Sequence, residues 1–190
     1  MAPAVQLVSG QRLLSHLDGV RAVYTDAFCA PPWNEDAGQA DIYLQRLVSD
    51  VDRDGFTAAL ALDGDTVLGW ATAWTTPAPF PDERSYPQIA AALGQRRTQA
   101  WLCDAREIDE LAVAASARRT GLGGRLLRAV TSGRTDGRCW LITSVQAGQT
   151  VAFYERAGWL QVTHPAPTGK GYVALLGPRH PAQALAPRPL

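Results

Sequence analysis

The chain has 190 residues, a formal net charge of zero and 46% apolar residues, which fits one globular domain with or without extensions. Because proteins that bind nucleic acids or anionic membranes usually carry a basic excess, the neutral balance argues against both kinds of partner. The three cysteines, Cys29, Cys103 and Cys139, form no CxxC pair, so the sequence predicts reduced thiols and no metal site. No signal-peptide pattern and no apolar run of about 20 residues is seen, which predicts a cytoplasmic protein.

The first half of the chain predicts two helices followed by a hairpin. Residues 4–8 are expected to form a strand, and apolar residues at helical spacing predict helices over 13–28 and 38–50. The segments FTAALAL and VLGWATAW are separated by the turn sequence DGD, which predicts two antiparallel strands. Residues 76–100 form the longest irregular segment, interrupted by the helical piece PQIAAALGQ, and long segments of this kind often serve as lids.

The second half alternates strands and helices. The predicted order, by residue numbers, is strand 103–114, helix 120–132, strand 138–143, helix 149–157, and strands near 159–164 and 171–176. A mixed α/β domain follows, antiparallel at first and βαβ-like later. Residues 178–190 are rich in Pro and Ala and are predicted to form a poorly ordered tail.

The stretch ARRTGLGGRLL, residues 117–127, places three glycines where a helix begins. Glycine inside a helix costs about 1 kcal/mol relative to alanine, but a helix N-terminus with glycines lets an anion approach unpaired N–H groups. A Walker loop is absent, and the dinucleotide fingerprint would need glycine where Leu126 stands. The register that fits is Arg118-x-x-Gly121-x-Gly123. The alternative is a flexible, glycine-containing helix N-terminus that binds no ligand.

A second motif, AFYERAGW at residues 152–159, follows about thirty residues after Gly123. Together the two motifs resemble the acyl-CoA pyrophosphate loop and the closing helix and strand of the GCN5-related N-acetyltransferase superfamily. The resemblance covers residues 4–177 and implies a single domain over 1–177 with a mixed α/β (α+β) GNAT fold. In that fold the sheet is antiparallel in its N-terminal half, and two splayed parallel strands hold acyl-CoA between flanking helices.

The sequence departs from the family at two positions. The family often has Asn seven residues before the tyrosine of the second motif and Ala four residues before it, where this chain has Ala147 and Thr150. The pantetheine contact of that Asn is therefore in doubt, and Gln146 or Gln149 could substitute for it.

The resemblance implies acetyl-CoA as co-substrate and no metal. Pantetheine would pair with main-chain groups of Leu111, Ala112 and Val113, and the pyrophosphate would lie on the N–H groups of the glycine loop. Arginine side chains would add charge, with Arg125 or Arg128 reaching the 3′-phosphate. The alternative is that these arginines only lie on a solvent-exposed helix face. The loop residues implied in cofactor binding are Arg118, Arg119, Thr120, Gly121, Leu122, Gly123, Gly124 and Arg125.

The resemblance also implies an acid and a base. Tyr154 stands where family members often place the general acid for the leaving thiolate, although it could simply pack in the core. The candidate bases are Glu107, Asp109 and Glu110; strand alternation puts the first two on one face and the third on the other, but a bulge can reverse this. Glu107 and Glu110 are the catalytic candidates, and charges at a strand edge or a water chain are the alternatives.

The function these residues imply is an N-acetyltransferase that moves an acetyl group to a primary amine of a small molecule or peptide in a ternary complex. The alternative is a non-catalytic acyl-CoA-binding or sensor module. Trp33 and Asp109 are expected to contact the acceptor; neither nucleic acid nor membrane is expected as a partner, and a homodimer is left open. Several aromatic residues suggest a partly apolar acceptor, unless they are core: Trp33, Trp74, Phe80, Tyr86 and Trp101.

Overall fold

The computed structural model describes residues 3–166 and 171–186. The helices are α1 (Gly10–Leu14), α2 (Leu17–Phe28), α3 (Gln39–Asp50), α4 (Tyr86–Leu93), the short α5 (Gln95–Arg97), α6 (Leu122–Thr131) and α7 (Gly148–Arg156). The strands are β1 (Ala4–Val8), β2 (Thr57–Asp63), β3 (Thr66–Thr75), β4 (Arg106–Val113), β5 (Cys139–Ser144), β6 (Leu160–Gln161) and β7 (Tyr172–Leu176). A π-helical turn (Thr98–Leu102) and two 3₁₀ turns (Ala115–Ala117 and Pro181–Leu185) complete the elements.

Within the described residues the strands form one seven-stranded mixed sheet in the order β1-β2-β3-β4-β5-β7-β6. The pairs β1–β2 and β2–β3 are antiparallel, whereas β4 and β5 are parallel and are connected through α6. The predicted α/β class, with an antiparallel first half and a βαβ second half, is confirmed.

The chain divides into two compact units. The first unit comprises Met1–Trp74 and Asp109–Gly133, and the second comprises Thr75–Ile108 and Arg134–Leu190. Since β4 contributes to both units, their boundary falls within a strand and not at a linker. A single domain over 1–177 stays a prediction.

Helices α2 and α3 pack together in the first unit, and α6 packs on β1 and β2. Tyr43 of α3 stacks between Tyr24 and Trp70, with ring centroids 5.0 and 5.1 Å away. Gly69 of β3 is required by close packing: a Cβ there would lie 2.9 Å from the carbonyl oxygen of Ala112 and 3.0 Å from Leu126. Only glycine lets β3 approach the end of β4 and the Leu126 side chain of α6 this closely.

The second unit has a core of its own. Tyr86 of α4 and Trp140 of β5 are almost completely buried, and both rings contact Phe80. The indole N–H of Trp140 donates to the Thr76 hydroxyl at 2.7 Å, which satisfies a polar group that would otherwise be costly to bury.

Three predicted boundaries are corrected. The expected helix over 13–28 is two helices, because α1 closes at Ser15, whose hydroxyl donates to the Arg12 carbonyl at 2.8 Å. The strand expected from residue 103 begins at Arg106, because Asp104 has a left-handed φ of 58° that a strand does not accommodate. The strand expected over 159–164 is limited to Leu160–Gln161.

The expectation of a poorly ordered tail is corrected for residues 178–186. His180 is 3% exposed, and Pro181–Leu185 form a 3₁₀ turn. The Gln183 amide donates to the carbonyl oxygens of Leu176 and Gly177 at 2.9 and 2.8 Å. These contacts hold the segment against the second unit; residues 187–190 of the predicted tail lie outside the described residues.

Candidate active site

The glycine stretch forms a loop between β4 and α6. After the 3₁₀ turn Ala115–Ala117, Arg119 and Gly121 both adopt left-handed backbone conformations, with φ of 62° and 78°. Gly121 is the N-cap of α6, and a Cβ built on it would meet no atom within 4 Å. Glycine is therefore favoured at this position by the backbone conformation and not by crowding.

The N–H groups of this loop fall into two sets. Those of Ala114, Ala117 and Arg118 donate to backbone carbonyls, at 2.9, 2.9 and 3.3 Å. Among the described residues, no acceptor contacts the N–H groups of residues 119–124. Because residues 118–121 are exposed, the loop presents a run of unpaired donors at a helix N-terminus, the arrangement that binds phosphates.

Two arginines predicted to contact the cofactor each donate to backbone carbonyls. Arg118 donates from Nε to Val113 O at 3.3 Å and from Nη2 to Asp26 O at 2.9 Å. Arg125 donates from Nη1 to Pro3 O at 2.8 Å. Both side chains therefore bond to the surrounding backbone in this structure.

The strand segment predicted to pair with pantetheine lies at the end of β4. The parallel ladder between β4 and β5 joins Arg106–Ile108 to Cys139–Leu141, and β4 continues to Val113. Leu111, Ala112 and Val113 therefore lie beyond the last residue that pairs with β5.

Glu107 is a buried carboxylate of the second unit. It is 3% exposed, and the Tyr86 hydroxyl lies 3.0 Å from Oε1 and 2.9 Å from Oε2, donating its proton to the carboxylate. Such a hydrogen bond stabilises a negative charge that burial alone would disfavour.

Asp109 and Glu110 lie in the first unit and share one cation. The Arg46 guanidinium forms a bidentate ion pair with Asp109, at 3.2 and 3.0 Å, and its Nη2 lies 3.9 Å from Glu110. The Asp109 side chain is 1% exposed, whereas that of Glu110 is 24% exposed. Strand alternation therefore does not separate these two carboxylates, and Glu110 is the one of the two that solvent reaches.

A group of aromatic and acidic side chains surrounds the C-terminal half of α2. The Tyr24 hydroxyl donates to Glu35 at 2.7 Å, and burial, this hydrogen bond and the charge of Glu110 all raise the pKa of Tyr24. Trp33 is half-buried and packs edge-on against Phe28, with ring centroids 5.8 Å apart. Sequence reasoning missed Tyr24 and Glu35, because helical periodicity marks Tyr24 only as a core residue.

Tyr154 lies in the second unit near the end of α7. It is 7% exposed, and its ring centroid is 5.9 Å from that of Trp159 and 5.0 Å from that of Phe153. Its carbonyl accepts from the Trp159 N–H at 3.0 Å, which closes the helix. The motif AFYERAGW thus forms the predicted helix end and turn, and the role of the Tyr154 hydroxyl stays a prediction.

Most aromatics considered for the acceptor site belong to the cores. Trp74, Tyr86 and Trp101 are at most 8% exposed, and Phe80 packs on Tyr86 and Trp140. For these residues the alternative of core packing is confirmed, and Trp33 remains a candidate for acceptor contact.

The cysteines are unpaired, with Cys103 and Cys139 buried and Cys29 partly exposed. Burial raises the pKa of the Cys139 thiol to about 11, which disfavours the reactive thiolate at neutral pH. The described part of the chain holds no group of His, Cys, Asp and Glu side chains arranged to bind a metal. None of its helices has the length and apolar character needed to cross a membrane.

Comparisons with known proteins agree with this geometry. Residues 83–160 match the family model of the acetyltransferase (GNAT) domain, a range that includes the glycine loop and the helix of Tyr154. The chain has the GNAT fold. The resemblance to this superfamily, predicted from the two motifs, is confirmed, although no curated protein matches the sequence.

Three solved structures illustrate the GNAT fold of the chain. A GNAT-family protein from Desulfovibrio desulfuricans is 22% identical, with a TM-score of 0.63, and the match covers 92% of this chain and 97% of that one. The histone acetyltransferase HPA2 and related acetyltransferase from Corynebacterium glutamicum is 17% identical, with a TM-score of 0.62 and coverage of 94% and 97%. A PaiA N-acetyltransferase from Thermoplasma acidophilum, solved in complex with coenzyme A, is 12% identical, with a TM-score of 0.54 and coverage of 92% and 98%.

Proposed function

We propose that this protein is an acyl-CoA-dependent N-acetyltransferase that transfers an acetyl group from acetyl-CoA to a primary amine of a small molecule or peptide. The observation that carries the proposal is the run of unpaired N–H groups over residues 119–124 at the start of α6, in which residues 119–121 are exposed. This run fits the pyrophosphate of acyl-CoA, and it lies inside the range that matches the GNAT acetyltransferase domain. Binding of both substrates before transfer would let the amine attack the acetyl carbon directly.

In this proposal the glycine loop and the end of β4 bind different parts of acyl-CoA. The N–H groups of residues 119–124 bind the pyrophosphate, helped by the positive end of the α6 dipole. Main-chain groups of Leu111, Ala112 and Val113 pair with the pantetheine arm. The thioester supplies an activated acetyl group, and a backbone N–H near Val113 polarises its carbonyl.

We propose Glu110 as the residue that removes a proton from the acceptor amine. It is the most exposed of the three β4 carboxylates. Asp109 is bound by Arg46, and the Glu107 carboxylate accepts a hydrogen bond from the Tyr86 hydroxyl. An accessible base can contact an incoming amine directly or through one water. Asp109 then supports the site through its ion pair with Arg46, and Glu107 remains the competing candidate.

Tyr154 is proposed as the general acid that protonates the leaving thiolate. A tyrosine has a pKa near 10, and a CoA thiol is similar in acidity to cysteine or somewhat weaker, so proton transfer between them is feasible. Support for this role comes from the position of Tyr154 in the AFYERAGW motif, and the contact with Trp159 fixes the orientation of its ring. Trp33 is the proposed aromatic contact for the acceptor.

A pair of variants at Gly121 tests the cofactor site. Because a Cβ at this position meets no atom within 4 Å, Gly121→Asp and Gly121→Asn should fold alike, and both residues tolerate the left-handed conformation. The two side chains have nearly the same shape, so their difference isolates charge. We expect the Asp variant to bind CoA at least about tenfold more weakly than the Asn variant, because its carboxylate repels the pyrophosphate.

Isothermal titration calorimetry with CoA measures both affinities, and thermal unfolding checks that the variants are equally stable. Equal affinity of the two variants would remove the loop from the binding site. The non-catalytic alternative is tested separately, by following thiol release from acetyl-CoA with a panel of amines. A binding module would bind CoA with the same dependence on Gly121 and would release no thiol above background.

A further inference from the structure

The C-terminal turn of α2 is bonded to the glycine loop at two points. The Asp26 carboxylate accepts a hydrogen bond from the N–H of Ala115, the first residue of the 3₁₀ turn. The main-chain carbonyl of Asp26 accepts a second hydrogen bond, from Nη2 of Arg118 at 2.9 Å. Nε of the same guanidinium donates to Val113 O at 3.3 Å. We call this set of contacts the α2–loop link.

The α2–loop link acts on the segment that directly precedes the unpaired donors. It holds both ends of the turn between Val113 and Arg118, and the continuous run of unpaired N–H groups begins at Arg119. A loop fixed in its binding conformation loses less conformational entropy when it binds a ligand than a mobile loop does. The direction in which residues 119–124 present their N–H groups therefore depends on Asp26 and Arg118.

The negative charge of Asp26 does not itself favour the binding of an anion to the loop. A carboxylate close to a pyrophosphate site repels the ligand, so any benefit to binding must come from the hydrogen bond to Ala115. The Arg118 side chain is also not extended into solvent, because its guanidinium donates to the carbonyls of Val113 and Asp26. Its fork shape, and not only its charge, is needed to reach both.

We propose that Asp26 and Arg118 are positioning residues that hold the glycine loop in the conformation that binds acyl-CoA. The proposal rests on the proposed function, because it assumes that this loop binds the pyrophosphate. It gives Arg118 a role different from the direct contact with phosphate that the sequence suggested. It also gives Asp26, which the sequence motifs do not include, a part in binding of the co-substrate.

Four variants of the full-length protein test the proposal by calorimetric titration with CoA. Asp26→Ala removes the acceptor, Asp26→Asn keeps an oxygen acceptor without the charge, and Arg118→Lys keeps the charge without the fork. Asp18→Ala makes the same truncation at an exposed position of α2 away from the loop and serves as the matched control. The melting temperature of each variant without ligand is measured in parallel.

We expect Asp26→Ala and Arg118→Lys to bind CoA about tenfold more weakly than the wild type, as for loss of one hydrogen bond to a charged group. Asp26→Asn and Asp18→Ala should stay within about twofold of the wild type, or bind more tightly in the case of Asn. A purely structural role would lower the melting temperature of Asp26→Ala and leave the CoA affinity of the folded protein unchanged.

Wild-type CoA affinity in both Asp26→Ala and Arg118→Lys would overturn the proposal. An Asp26→Asn variant that binds CoA as weakly as Asp26→Ala would also overturn it, since loss of the charge and not of the hydrogen bond would then explain the weaker binding. If Asp26→Ala does not fold, Arg118→Lys decides alone: weakened binding supports the link and unchanged binding overturns it. A wild-type protein that does not bind CoA would instead refute the proposed function. The two failures are therefore distinguishable.

Discussion

Glu107 and Glu110 are separated by two residues of β4, yet their surroundings differ in what they allow each carboxylate to do. Glu107 is 3% exposed and accepts a hydrogen bond from the Tyr86 hydroxyl, which stabilises a charge that solvent does not reach. Glu110 has a quarter of its side chain in solvent and lies 3.9 Å from Arg46. A base has to reach the amine that it deprotonates, so accessibility separates two residues of the same chemical type.

Glutamine variants at the two positions should therefore behave differently. We expect Glu110→Gln to lower kcat by about 10²-fold, within the usual contribution of a general base, and to flatten the acidic limb of the pH–rate profile. Glu107→Gln should lower kcat by less than about fivefold, because glutamine keeps an oxygen that accepts from Tyr86. Steady-state kinetics with acetyl-CoA and an amine acceptor measure both effects, and the reverse order would make Glu107 the base.

Helix α3 and strand β4 are joined in the first unit by one arginine. Arg46 forms the bidentate pair with Asp109, lies 3.4 Å from Asp50 one helical turn later, and stands 5.2 Å from the ring centre of Tyr43. Since the Asp109 side chain is 1% exposed and that of Asp50 is 3% exposed, a charged partner is needed to offset their desolvation. The packing of α3 on the sheet thus depends on Arg46.

Replacing Arg46 by methionine should destabilise the protein. Breaking a fully buried ion pair from one side costs about 3–5 kcal/mol; because a quarter of the Arg46 side chain is exposed, we expect a loss of about 2 kcal/mol in the free energy of unfolding. Denaturant titration measures this loss. Adding Asp109→Asn to Arg46→Met should recover part of the stability, since it removes the unpaired charge. If the two substitutions instead lower the free energy of unfolding additively, this account is contradicted.

The C-terminal segment completes the second unit through a buried histidine. The Nδ1 of His180 accepts from the Ala182 N–H at 3.1 Å, so the proton lies on Nε2, which donates to Trp101 O at 2.9 Å. Burial is the main cause that lowers the pKa of His180; the charge of Arg138 also lowers it, while the bond to Trp101 and the charge of Asp136 raise it. A second proton would displace Ala182 and charge a buried ring, so the folded protein holds His180 neutral.

This histidine should make the free energy of unfolding depend on pH. Because the folded pKa lies below the unfolded value of about 6.5, the unfolded chain binds the proton first, and stability is lost as the pH falls below that value. Between pH 7.5 and pH 5.5 we therefore expect His180 to contribute a loss of stability. Denaturant titration of the wild type and of His180→Gln at both pH values measures the difference; an equally steep loss in the variant would assign it to other groups.

The local elements follow from the sequence alone. The spacing of apolar residues predicts α3 within one residue of its observed bounds, and the DGD turn predicts the β2–β3 hairpin. The glycine loop was also predicted, because the left-handed conformation of Gly121 and the unpaired N–H groups of a helix start are properties of neighbouring residues. The break between α1 and α2 was missed, because the apolar spacing continues across Ser15, the residue at which α1 ends.

Only the tertiary structure decided which partners the site residues have. Arg46 is 63 residues from Asp109, and Asp26 is 92 residues from Arg118; no local pattern relates such positions, because their contact depends on how helices pack on the sheet. The exposure of Glu110, the burial of Glu107 and the occupation of Arg118 by carbonyl groups follow from that packing. The sequence by itself determined the elements and the glycine loop, whereas side-chain accessibility depends on long-range contacts that only the folded chain creates.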